Sequence, residues 1–375
     1  MQQVKSAYVH IPFCVKICTY CDFNKYFIQH QPVDTYLTSL IKEMSWAQQK
    51  DLNTMFVGGG TPTALSEAQL ERLLAAINEH FTISGEYTFE ANPDELTEKK
   101  VALLKKYGVN RLSLGVQTFD DALLKLLGRA HRREDIYAAV RNARKHEISS
   151  ISLDLMYQLP GQTMQQFEES LTEAISLEVD HISSYGLILE KQTQFYNLYQ
   201  KGQLSMPSEE LGAEMYQYMV EKLTQHGLHQ YEISNFAKDG HESAHNKVYW
   251  KNEAYYGFGA GASGYVNGIR YTNINPVNHY IEHVSHGKRP ILTEDSLSLQ
   301  EQIEEEMFLG LRMNEGVNKK RFKQKFGCAV DTYYRSELQQ LEMKKLIMNT
   351  PTHIALTAEG RVIGNYVFEQ FIKLK

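Results

Sequence analysis

The stretch Tyr8-Val-His-Ile-Pro-Phe-Cys14-Val-Lys-Ile-Cys18-Thr-Tyr-Cys21 decides how the rest of the chain is read. Its first half is an apolar, strand-like run. Pro12 brings that run to an end, because it has no amide hydrogen to give to a sheet. The second half sets Cys14, Cys18 and Cys21 at C-x3-C-x2-C spacing, three of the four cysteines in the chain. A strand that delivers three thiols to one short loop can bring them to a single inorganic centre.

Three thiolates are one short for a four-iron cluster, which four cysteines normally hold. The open iron could be chelated by the amino and carboxylate groups of S-adenosylmethionine (SAM). Reductive cleavage of the sulfonium would then give a 5′-deoxyadenosyl radical, chemistry that is the cofactor's own. A structural zinc held by the three cysteines with His10 or His30 accounts for the same spacing. So do unligated structural cysteines. A disulfide framework is disfavoured, because only Cys328 remains and no secretion signal precedes the motif.

Working outward, the 375 residues are 42% hydrophobic and 22% charged, the balance of an ordinary globular protein. No apolar run is long enough to cross a membrane, and the opening Met-Gln-Gln-Val-Lys-Ser lacks the layout of a signal peptide. Four cysteines without such a signal predict a reducing, cytoplasmic setting. A net charge of -6 argues against a nucleic-acid footprint and leaves a peripheral contact with a membrane surface open.

The first two hundred residues alternate strand and helix patterns. Strands are expected at 7–11, 55–57, 87–91, 112–116, 151–157 and 181–189, with helices between them. Asp34 is a candidate N-cap, and Ser66 with Gln69 and Thr163 with Gln166 read as capping boxes. Six such units predict a parallel sheet with right-handed crossovers, closed either as a doubly wound sheet or as a partial TIM-type barrel. We favour the partial (β/α)6 barrel over residues 1–200. It would turn the cysteine loop, Gly58-Gly59-Gly60-Thr61, Glu90, Gln117 and Asp154 toward one mouth, at the carboxyl ends of the strands. Glycines let backbone approach a ligand closely, and carboxylates and an amide suit ribose hydroxyls and an ammonium group. Arg129 could pair with a carboxylate.

Tyr8-Val-His-Ile-Pro-Phe-Cys, Gly58-Gly-Gly-Thr-Pro-Thr, Glu90-Ala-Asn-Pro, Gly115-Val-Gln-Thr-Phe, Leu127-Gly-Arg-Ala-His and Asp154-Leu-Met-Tyr-Gln-Leu-Pro-Gly together resemble the radical SAM family of oxygen-independent coproporphyrinogen III oxidases and their relatives. The resemblance spans essentially the whole chain. It implies a 4Fe-4S cluster on Cys14, Cys18 and Cys21, and SAM contacts from Tyr8, Tyr20, Gly59, Gly60, Thr61, Glu90, Gln117, Arg129 and Asp154. Two departures put the oxidase activity in doubt. The oxidases resemble C-x3-C-x2-C-x-C, whereas position 23 is Phe23, and Cys14 lies close to the start, without the N-terminal extension of the oxidases. Both departures match the family's heme-chaperone branch. That branch implies heme binding, delivery to a heme-accepting membrane protein, and a homodimer.

Beyond residue 200 the alternation stops. Residues 201–299 read as an α+β extension carrying His245-Asn-Lys-Val-Tyr-Trp, in which His245 beside Tyr249 and Trp250 could offer heme an axial imidazole. The same pattern equally suits an aromatic core patch whose histidine only hydrogen-bonds, although H-N-x-x-Y-W is characteristic of the heme-chaperone branch. The glycines of 257–264 predict close packing against the barrel mouth. Residues 300–375 read as a small helical, winged-helix-like unit. Its acidic run at Glu304 to Glu306 argues against a DNA reader, and Cys328 reads as structural.

Overall fold

The computed structural model of the chain describes residues 3–373. Six strands, β1 (Ser6–Ile11), β2 (Asp51–Gly59), β3 (Thr82–Ala91), β4 (Arg111–Gln117), β5 (Ser150–Tyr157) and β6 (His181–Gly186), lie side by side in chain order, all parallel. The crossovers are carried by α1 (Val33–Ser45), α2 (Glu67–His80), α3 (Glu98–Lys106), α4 (Arg133–Lys145) and α5 (Met164–Ser176). The partial barrel expected from the sequence is therefore the fold. Both capping boxes form: the Ser66 and Thr163 hydroxyls accept from the amides of Gln69 and Gln166.

Strands covered by helices on one face and closed on the other usually read as continuous apolar runs. Here they alternate. Val9, Val57, Phe89, Leu112, Leu114, Ile151, Leu153 and Ile182 join the apolar core shared with the crossover helices. The residues between them are polar: Thr54, Thr88, Glu90, Arg111, Ser113, Ser152, Asp154, His181 and Ser183. Successive strand residues face opposite sides, so the barrel interior is polar, which suits a chamber rather than a packed core.

Some boundaries differ from expectation. α1 starts one residue before Asp34, with Pro32 at its cap, so Asp34 sits in the first turn, where its charge still favours the helix dipole. β6 stops at Gly186, and Leu187 to Leu189 run on as loop. The extension has no core of its own. After α6 (Glu209–Gln225) come β7 (His229–Glu232), β8 (Asn235–Ala237), the short α7 (Ala244–Trp250) and β9 (Tyr256–Phe258). All three strands join the barrel sheet, giving the order β9-β1-β2-β3-β4-β5-β6-β8-β7. Met215, Met219, Leu223, Phe236, Val277 and Tyr280 belong to the same apolar core as the crossover helices. The glycines behave as expected. A Cβ at Gly259 would lie 2.6 Å from the His10 carbonyl oxygen, so β9 can approach β1 only without side chains there.

The C-terminal unit begins with α8 (Leu299–Gly310) and adds further helices around a three-stranded antiparallel sheet of Val317–Asn318, His353–Leu356 and Ile347–Asn349. It has a separate apolar core that includes Met307, Phe322, Tyr334, Leu338, Ile354 and Phe371. The acidic run is not a displayed surface. Glu305 pairs with Arg270 at 2.6 Å, Glu306 pairs with Lys325 at 2.7 Å, and Glu304 is buried. These carboxylates hold the unit together and fasten it to the barrel side, where the Arg312 guanidinium also lies 4.7 Å from the Trp250 ring centre.

Candidate functional site

The carboxyl ends of the barrel strands surround a cavity of about 500 Å³. The loop after β1 brings Cys14, Cys18 and Cys21 to it as free thiols. Tyr20, Gly59, Gly60, Thr61, Glu90, Gln117, Arg129 and Asp154, expected from separate stretches of sequence, line the same space. Tyr8 does not. Its hydroxyl meets His10 Nδ1 at 2.9 Å, and its ring stacks on Phe56, which is the residue that reaches the cavity.

A chain of hydrogen bonds joins two of the thiols. Thr61 Oγ1 donates to Cys14 Sγ at 3.7 Å, and Asn92 Nδ2 donates to Thr61 Oγ1 at 3.1 Å. Arg129 closes the chain, donating through Nη2 to Asn92 Oδ1 at 2.6 Å and through Nη1 to Cys18 Sγ at 3.4 Å. Sequence reasoning quoted Asn92 inside Glu90-Ala-Asn-Pro without giving it a role. Its signal was a polar residue one step beyond a strand end, the same signal that marked Gln117. Burial pushes the Cys14 thiol up to about 12, and burial likewise raises Cys21 against the opposing charge of Lys25. A thiolate at Cys14 is therefore favoured only in contact with a cation such as iron.

The donor set fits a cluster better than a single zinc. His10 spends Nδ1 on Tyr8 and Nε2 on the Asn24 carbonyl (2.8 Å), and His30 is exposed outside the cavity lining. Among the described residues no three His, Cys, Asp or Glu side chains are gathered tightly enough for one ion. Thiolates on one tetrahedral zinc sit about 3.8 Å apart, given Zn–S bonds of about 2.3 Å, whereas a cuboidal cluster spreads its cysteines over different irons.

The glycine turn is needed for its lack of side chains. Gly59 has φ +119°, and a Cβ there would lie 2.6 Å from the His10 ring; one at Gly60 would lie 2.8 Å from the Phe13 carbonyl and 3.0 Å from Cys14 Sγ. The Gly59 amide donates to Glu90 Oε2 at 2.9 Å. Burial pushes Glu90 up to about 8, the amide opposes this, and the Asp154 charge adds to it. Asp154 is also raised by burial, while Ser113 Oγ supports it at 2.9 and 3.1 Å. Two destabilised carboxylates facing one cavity are suited to a cationic ligand. Gln117 takes φ +67°, which turns the chain at the end of β4 and leaves its side chain on the cavity wall.

His245 corrects the sequence reading. It is fully buried, Nδ1 meets Thr54 Oγ1 at 2.9 Å, and Nε2 meets Tyr249 Oη at 2.8 Å. Neither nitrogen is free for iron, and burial lowers its pKa to about 3, so it is neutral. Its neighbour Asn246 lines the cavity instead. Helix α7 crosses the narrow end of the barrel, its first amides and the Ser243 hydroxyl held by the Glu86 carboxylate at 2.7–3.1 Å. The motif was legible, but which of its residues faces the chamber depends on how a seven-residue helix docks under strands from the other half of the chain.

The model of the Radical SAM superfamily matches residues 8–174, and that of the HemN C-terminal domain matches residues 297–363. A curated protein named heme chaperone HemW from Bacillus subtilis is 51% identical, covering 98% of this chain and 99% of its own length. The chain belongs to the HemW family of radical SAM proteins. Another HemW, from Lactococcus lactis, is 46% identical over 99% of the chain and 98% of its own length. Among solved structures, the coproporphyrinogen III oxidase HemN of Escherichia coli, a radical SAM enzyme, aligns with a TM-score of 0.86 at 25% identity, covering 99% of this chain and 90% of that one. Membership of the radical SAM family implies a 4Fe-4S cluster and SAM. No helix among the described residues is long and apolar enough to cross a membrane.

Proposed function

We propose that this HemW-family chain is a heme chaperone. It holds a 4Fe-4S cluster on Cys14, Cys18 and Cys21 and SAM among Gly59, Gly60, Thr61, Glu90, Gln117, Arg129 and Asp154, and it passes heme to membrane hemoproteins. The observation that carries the cofactor assignment is that three thiols and these residues, carried by the first five strands and the segments that follow them, line one cavity. The heme assignment rests on the near-full-length likeness to proteins named heme chaperone.

When bound, the cluster supplies one-electron reduction of SAM. The chain's own residues bind and orient. Glu90 and Asp154 favour the cationic ligand, and Arg129 can take a carboxylate while tying Cys18 to Asn92. Thr61 polarises Cys14 Sγ. His245 positions the floor rather than ligating heme iron. The heme faces a mouth where Phe23 and Ile188 are 67% and 70% exposed, apolar surface suited to a flat macrocycle.

The overall likeness to HemN favours a second reading, oxidative decarboxylation of coproporphyrinogen III. Anaerobic turnover with cluster-reconstituted protein, SAM and reductant separates the two. The chaperone reading expects no protoporphyrinogen IX, together with tight heme binding and release of heme to an apo-hemoprotein. Accumulating product would overturn it.

A further inference from the structure

Below the rim residues the barrel interior continues, and its wall carries a buried guanidinium that makes no direct ion pair. Arg111 opens β4, four residues before Gly115, the partner of Asp154 across the β4–β5 pair. At roughly 3.3 Å per residue, its Cα lies about 13 Å back along the strand from the level of Asp154. It is 4% exposed and yet lines the cavity. Among the described residues it donates only through Nη1, to Ser150 Oγ and to the His241 carbonyl, both at 2.9 Å, and no carboxylate is in ion-pair contact with it. The nearby acids are otherwise engaged: Asp154 by Ser113, and Glu86 by the start of α7.

A buried cation without a direct ion-pair partner is costly, and a guanidinium with free edges lining a cavity is complementary to a carboxylate, which it can meet through two parallel bonds. Asn246 lines the same chamber and can add an amide donor to such a cradle. We infer that Arg111 makes the floor of the barrel a carboxylate-binding subsite, separate from the rim residues around the cysteines. With Phe23 and Ile188 at the mouth, the cavity runs from apolar lip to cationic floor. It matches a ligand with an apolar body and an anionic end. Heme carries that chemistry through a propionate, an assignment that rests on the chaperone reading; the amino-acid carboxylate of SAM belongs at the rim, with the cluster and Arg129.

The test titrates cluster-reconstituted wild type and Arg111→Gln with one matched pair, heme against heme with esterified propionates, and with SAM as a control for the rim. In wild type, the pair gives a ratio of affinities with and without the carboxylates. That ratio shrinks about tenfold or more in Arg111→Gln, the scale of a hydrogen-bonded charge pair, while SAM affinity stays within twofold. A heme ratio unchanged within twofold would overturn the inference. The cluster absorbance and melting temperature of the variant certify its fold. If Arg111→Gln does not retain its cluster, Arg111→Lys replaces it, keeping the charge without the fork, and the same shrinkage is required. Wild type that binds neither form of heme sinks the chaperone reading, whereas wild type that binds both forms with one affinity overturns the subsite alone.

Discussion

The barrel and the C-terminal unit solve the problem of an interior in opposite ways. The C-terminal unit fills its centre with Phe322, Tyr334, Leu338 and Phe371, and its carboxylates Glu305 and Glu306 meet basic partners. The barrel keeps Arg111, Asp154, Glu90, Ser152 and His181 inside, beneath a mouth that exposes apolar side chains. Packing alone explains the first. The second tolerates buried charge that an apolar filling would avoid, so its interior is shaped by what it receives.

The sharpest way to break that contrast is at the cysteines, two of which belong to the barrel loop's hydrogen-bonded chain. Cys14→Ser is expected to abolish the cluster, read as loss of iron and sulfide, while Cys328→Ser leaves both intact. Equal losses would erase the distinction. Next, Phe322→Ala should cost about 3–5 kcal/mol of unfolding free energy in denaturant titration, as truncation of a packed core ring does. It should leave cluster content unchanged, because its core is separate from the barrel's.

His245→Ala removes bonds to Thr54 and Tyr249 and leaves both hydroxyls underused, an expected cost of about 2–3 kcal/mol. Any heme still bound should keep its wild-type iron-ligand spectrum. A changed spectrum would make His245 a ligand after all. A pH-dependent effect of comparable size lies in the barrel wall at Glu43, buried among Tyr280, Asn273 and the Gly259 amide. Burial pushes its carboxyl from 4.5 up to about 7, against those hydrogen bonds. The folded state thus holds the proton more tightly than the unfolded one, and this stability is present below 4.5 and lost as pH rises through 7. The decline should be on the order of 3 kcal/mol, and Glu43→Gln should flatten it in melts across that range.

Much of this was written locally in the sequence. Cys14, Cys18 and Cys21 share one loop, and Glu90 and Gln117 betray a strand end by a polar residue after an apolar run; Asp154 shows the same contrast but lies within β5, which runs on to Tyr157. Both capping boxes needed only four residues each. What stayed hidden was set by distant pairing. β9 is three residues among glycines and becomes a strand only against β1. Arg111 reads as an ordinary polar residue at a strand start until the barrel closes around it. Tyr8 and Phe56 could not be ranked by spacing, and the fate of His245 depended on a strand almost two hundred residues earlier.

The hold of Glu86 on α7 has a consequence for traffic. One carboxylate keeps that helix lying across the end of the barrel opposite the cysteines. Lengthwise, the chamber is a cul-de-sac. Along that axis, a guest that enters past Phe23 and Ile188 meets α7 rather than a second exit, which places the lengthwise doorway on the cysteine side.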